Sequence, residues 1–106
     1  MAKFLIHGSY TPEGAKGLLK EGGSKRYQAA QAATKSVGAK LEAFYFAYGD
    51  DDFFGIVEAP DGVSVAAVSL VVNASGAIRS KTVVLMTPQE MDEAVKKIPS
   101  YRAPGQ

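Results

Sequence analysis

Cysteine is absent from the 106 residues, which removes a disulfide framework, thiolate metal sites and a cysteine nucleophile in one step. Histidine occurs once, as His7. Neither sign of charge dominates: twelve Lys and Arg stand against eleven Asp and Glu, for a formal charge of +1. Bulk attraction to nucleic acid or to an anionic membrane is therefore not expected, and aromatic and cationic residues are not interleaved as a nucleic-acid surface would need. No apolar run approaches the roughly 20 residues that span a bilayer, and the segment Met1 to His7 is too short for a secretory core, so the expected setting is cytoplasmic. A nucleophile elbow, a zinc motif, a phosphate-cradling loop, a dinucleotide fingerprint and calcium-loop spacing are all missing. No reaction is written in the residues, and no cofactor or metal is expected.

What is present centres on Leu41 to Pro60, LEAFYFAYGDDDFFGIVEAP. Leu41–Tyr48 holds four aromatics and Phe53–Ala59 is rich in Phe, Ile and Val, compositions that suit a pleated surface. Gly49-Asp50-Asp51-Asp52 between them has the chemistry of a tight turn, so the two strands form an antiparallel hairpin. Strict alternation puts Leu41, Ala43, Tyr45 and Ala47 on one face, and Glu42, Phe44, Phe46 and Tyr48 on the other. Neither face is polar, which predicts that both are covered, one of them by a second copy of the chain.

The remaining segments fall in order around the hairpin. Phe4–Tyr10 reads as a strand, and Thr11-Pro12-Glu13 as a helix start. Gly22-Gly23 interrupts that helix, and a second runs from about Lys25 to Val37, with Gly38 closing it. Val63–Ala74 mixes β-branched residues with a helical length, an Asp61 cap and a Ser75-Gly76 exit; it is assigned as a helix. Its first apolar face, expected against the sheet, is Val63, Ala66, Ala67, Leu70 and Ala74; a second stripe at Val65, Val68 and Val72 lies off that face and predicts that the helix touches more than its own sheet. Ala77–Met86 is the last strand. Thr87-Pro88-Gln89-Glu90 is a capping box opening a short helix to about Ile98, striped by Met91, Ala94, Val95 and Ile98, which Pro99 stops.

Strand, helix, strand, strand, helix, strand is the split βαβ order of an α+β ferredoxin-like fold: a four-stranded antiparallel sheet with helices on one face and an extra C-terminal helix. The expected organisation is one domain over residues 1–98 and a tail over 99–106, which is left either loose or docked on a neighbouring subunit. The bare sheet face predicts two sheets packed face to face, as a dimeric α/β barrel or a ring of dimers.

The chain resembles the GYD domain family of small bacterial and archaeal proteins. The resemblance is carried by Ser9-Tyr10-Thr11-Pro12-Glu13-Gly14, Lys16-Gly17-Leu18-Leu19, Glu21-Gly22-Gly23-Ser24-Lys25-Arg26, the hairpin, and Ser75 to Thr82, and it runs from about Phe4 to Ala94. It implies a ferredoxin-like, oligomerising domain and no particular reaction. The family motif places a tyrosine before an aspartate after the turn glycine; here Asp51 stands in the tyrosine's place beside the matching Asp52.

The candidate chemistry is sparse. His7 is the one group whose ordinary pKa lies near neutrality, hence a candidate general acid or base, with a structural histidine as the competing reading. Asp52, at a strand edge within reach of Lys25, Arg26 or Lys81, is the second catalytic candidate; a solvated turn competes for Asp50, Asp51 and Asp52 alike. Tyr45 is a candidate pocket residue, or simply packs. Lys25 and Arg26 at a helix N-terminus form one anion-friendly group. Arg79 and Lys81, sharing a strand face, form another, unless they pair with Glu42 or Glu58. The expected function is a homo-oligomeric module that binds a small molecule, anions included, through Tyr45, Lys25, Arg26, Arg79 and Lys81. The alternatives are a cofactor-free enzyme of the monooxygenase- or isomerase-like barrel type, or a purely structural, partner-binding subunit.

Overall fold

Capping chemistry sets the element boundaries. Thr11, Asp61 and Thr87 each precede a helix in extended backbone, and their side chains accept from the backbone N–H of Gly14, Ser64 and Glu90. Thr87 and Glu90 complete the capping box. In the computed structural model, which describes residues 1–106, the chain runs β1 (Ala2–Tyr10), α1 (Pro12–Glu21), α2 (Gly23–Lys35), β2 (Lys40–Phe46), β3 (Phe53–Ala59), α3 (Gly62–Ala74), β4 (Ile78–Leu85) and α4 (Pro88–Lys97). The ambiguous valine-rich segment is thus helical.

The four strands form one antiparallel sheet in the order β2-β3-β1-β4, the α+β ferredoxin-like arrangement with an additional C-terminal helix. Phe4, Ile6 and Gly8 of β1 lie opposite Val57, Gly55 and Phe53 of β3, and opposite Val84, Thr82 and Ser80 of β4. This parity faces the helices, where Phe4, Val57 and Ala59 meet Val65 of α3 in the core. The backbone approaches closely at two glycines. A Cβ on Gly8 would lie 1.9 Å from the Arg79 carbonyl oxygen, and one on Gly14 would lie 1.9 Å from that of Ala77.

Two expectations of facing are overturned. In β2 the register shifts between Leu41, opposite Val57, and Ala43, opposite Ile56, so Glu42 is an extra residue at a bulge. Leu41 therefore shares the helix face with Phe44 and Phe46, whereas Glu42 joins Ala43 and Tyr45 on the open face and bonds Lys3 there at 3.1 Å. A single inserted residue reverses the parity of what precedes it. In α3, the stripe of Val65, Val68 and Val72 faces the sheet, and Val63 and Leu70 are exposed at 80% and 71%. The helix is apolar nearly all round, so periodicity alone could not choose its buried side. The strand β2 also ends at Phe46, leaving Ala47 and Tyr48 in the turn.

Only nine of 106 residues are buried. Helix α4 contributes none of them, and the Cα radius of gyration is 16.8 Å with a long dimension of 56 Å. A compact domain of this length would have a radius near 13 Å. The helix and the residues after it stand off the body.

Candidate functional site

Alternation in β1 sends Lys3, Leu5, His7 and Ser9 to the face away from the helices. Cross-strand register then builds rows on that open face. Tyr45 lies opposite Phe54, Phe54 opposite His7, and His7 opposite Lys81, so one residue from each strand forms a continuous row. The next row is apolar: Ala43, Ile56, Leu5 and Val83. On its far side Lys3 and Glu58 face each other, and the hydrogen bond from Lys3 to Glu42 holds the Glu42 carboxyl below its ordinary range. On the near side Arg79 lies opposite Ser9.

The acidic turn folds back onto this face. Asp51 Oδ2 lies 2.8 Å from His7 Nδ1, and the imidazole is parallel to the Phe54 ring, 9° between planes and 5.8 Å between centroids. A carboxylate accepts, so Nδ1 carries the proton and Nε2 of the neutral ring is the acceptor left for another partner. The two side chains keep 19% and 25% of their surface exposed, enough for a ligand to reach. Asp50 accepts from the Ser9 hydroxyl through its carbonyl at 3.3 Å.

Asp52 has a different place. Its Oδ2 accepts from the Tyr10 N–H at 2.9 Å, its own N–H donates to Gly8 O at 2.7 Å, and its carbonyl accepts from Ala47 N at 2.8 Å. The residue stitches the hairpin turn to the end of β1 and meets none of Lys25, Arg26 or Lys81 in an ion pair. Glu42 is taken by Lys3, so Arg79 and Lys81 are without an ion pair as well.

The structure thus brings together His7, Tyr45, Lys81 and Arg79 on one face. Lys25 and Arg26 lie elsewhere, in the first turn of α2; Lys25 is exposed, and Arg26 Nη1 contacts Glu21 Oε1 at 3.4 Å. Arg26 and Tyr10 border a space on the helix side of the sheet, where burial pushes the Tyr10 phenol above its ordinary pKa against the opposing pull of Arg26. Phe54, not among the residues expected at the site, and Asp51, expected in a solvated turn but bonded to His7, are the additional participants. Phe54 was recoverable from its alternation with the buried Phe53. Asp51 was not, because the direction of a turn side chain is set by contacts across 44 residues of sequence.

The arrangement supplies a histidine oriented by a carboxylate, two unpaired cations, and an aromatic and aliphatic floor. It can stack a planar or apolar group, hold an anion and move a proton. No group of three His, Asp or Glu side chains is placed to hold a metal ion, and no helix is long and apolar enough to cross a membrane. A family model described as the GYD domain matches residues 4–95, from β1 into α4. No curated protein matches the chain.

Proposed function

The chain belongs to the GYD domain family, and on that footing we propose that it acts as a homo-oligomeric module binding a small anionic molecule on the open face of its sheet. The observation that carries this reading is the row Tyr45, Phe54, His7, Lys81, with Arg79 beside it. Two cations without acidic partners sit at one end of an apolar floor, and His7 stands in the row between Lys81 and the aromatics. A carboxylate or phosphate is held by the Arg79 fork and the Lys81 point charge, and the body of the ligand rests on Phe54 and Tyr45. A second sheet laid over Leu5, Ile56 and Val83 shields that floor from water and strengthens the charge contacts at its rim.

Titration calorimetry with a panel of small aromatic carboxylates, whose rings the Phe54 and Tyr45 floor would stack, and inorganic phosphate tests the reading. Binding by the native chain that weakens about tenfold in Lys81→Ala and again in Arg79→Ala is the expected result. Absence of binding across the panel, or binding indifferent to both changes, defeats it.

The 2.8 Å contact between His7 and Asp51 favours a second reading, cofactor-free proton transfer of the isomerase type. His7 Nε2 takes a proton from a carbon next to a carbonyl of the bound anion, and Asp51 stabilises the imidazolium that results. Solvent deuterium then enters the bound molecule with the native chain and not with His7→Gln. Equal exchange in both removes the enzymatic reading and leaves the binding one standing.

A further inference from the structure

On the opposite side of the sheet from the His7 row, a cavity of about 100 Å³ lies between β1 to β4 and the helices α2 and α3. Its origin is legible in residue size. Helix α2 turns Ala29, Ala30 and Ala33 toward the sheet, and Gly55 on the facing strand has no side chain to fill the gap. Interiors are normally packed as tightly as organic crystals, so a partly open space of this size among apolar side chains is room that a ligand could fill. The walls are aliphatic and aromatic, with Phe44, Val57 and Val72 among them.

Three polar groups reach the lining. Thr34 has its hydroxyl bonded to the carbonyls of Ala30 and Gln31, at 3.2 and 2.9 Å. That leaves Arg26 and Tyr10 at the cavity as the groups able to recognise a ligand. Glu21 engages Arg26 through one guanidinium nitrogen in a long, partly exposed contact, which a better acceptor displaces readily.

We propose that this cavity is a binding site for a short-chain aliphatic carboxylate, with the hydrocarbon inside and the carboxylate on Arg26. The class follows from size and charge. A dry apolar cavity of about 150 Å³ takes a benzene ring, so this one takes a chain of about four or five carbons. A planar guanidinium at the rim of an otherwise uncharged lining selects an anionic head that it can grip with two parallel hydrogen bonds. Tyr10, which lines the same cavity beside Arg26, is an uncharged phenol at neutral pH, so its hydroxyl can donate to the carboxylate. The site is separate from the open-face row, since Lys81 and Arg79 lie on the other side of the sheet.

The test is titration calorimetry of the full chain with valerate, acetate and 1-pentanol, which separate the contributions of chain and charge. Valerate binds, and acetate and pentanol bind at least about tenfold more weakly. Arg26→Gln weakens valerate about tenfold, Ala30→Leu fills the cavity and abolishes binding, and Lys81→Ala leaves it unchanged. Valerate binding that survives both Arg26→Gln and Ala30→Leu overturns the proposal, as does acetate binding equal to that of valerate, or no valerate binding at millimolar concentration. Should Ala30→Leu fail to fold, Arg26→Gln and the comparison of the three ligands decide the matter.

Discussion

Gly14 sits so close to Ala77 that no side chain fits between them. The contact joins two distant stretches: Thr11 N–H donates to Ala77 O at 3.0 Å and the Thr11 hydroxyl to Gly76 O at 2.8 Å. Gly14→Ala is expected to destabilise the fold by roughly 1–3 kcal/mol, because backbone on both sides must yield, and chemical denaturation measures it. A second residue-scale effect is electrostatic. The Asp61 carboxylate caps α3, and the Ser64 N–H it accepts from holds its pKa below the ordinary aspartate range. A depressed folded-state pKa contributes stability that is present above the unfolded value of about 3.9 and is lost as pH falls through the folded value. Asp61→Ala is therefore expected to lower the unfolding midpoint at neutral pH, and the gap to the native chain should close on acidification through that window.

At the scale of elements, facing is the property that matters most. Helix α3 carries apolar residues on almost every side, and the structure buries Val65 while leaving Leu70 at 71% exposure. Val65→Ala should cost about 2 kcal/mol, from lost burial and the cavity left behind, whereas Leu70→Ala should stay within about 0.5 kcal/mol in the protomer. The reverse ranking in thermal unfolding would mean that the opposite face of α3 is the packed one. In β2 the bulge at Glu42 has the equivalent effect. It frees a carboxylate for Lys3 on the open face and at the same time delivers Leu41 to the core side. Without that extra residue Leu41 would point away from Val57.

The whole molecule leaves more apolar surface open than a chain of this size should tolerate alone. Leu5, Ile56 and Val83 line the centre of the open face, α4 exposes Met91 and Val95, and the core is small. Self-association is the economical way to cover such surface, and it is the oligomer of the proposed function. Light scattering should therefore report a mass of at least twice 11.2 kDa for the native chain. Val83→Glu places a charge in the middle of the open face, where burial under a second copy without a partner would be costly, and should return the mass to that of one protomer. A native chain that runs as a monomer at all concentrations would remove the oligomer from the proposal.

Local chemistry determined much of this protein from its sequence. Caps at Thr11, Asp61 and Thr87, the acidic turn after Gly49 and the order of periodic segments were enough for four strands, their helices and the ferredoxin-like arrangement, because each signal acts over a few residues. His7, Tyr45, Arg79 and Lys81 were recognisable as reactive or charged groups on strands. Their common face followed only from register, and register depends on pairing between strands far apart in the chain. The same is true of Asp51, whose carboxylate finds His7 across the sheet while its neighbour Asp52 is spent on the Tyr10 N–H. The buried side of α3, the parity of β2 and the cavity beneath Ala30 were decided by tertiary packing, since residues alike in polarity on every side carry no periodic signal for which of them meets the core.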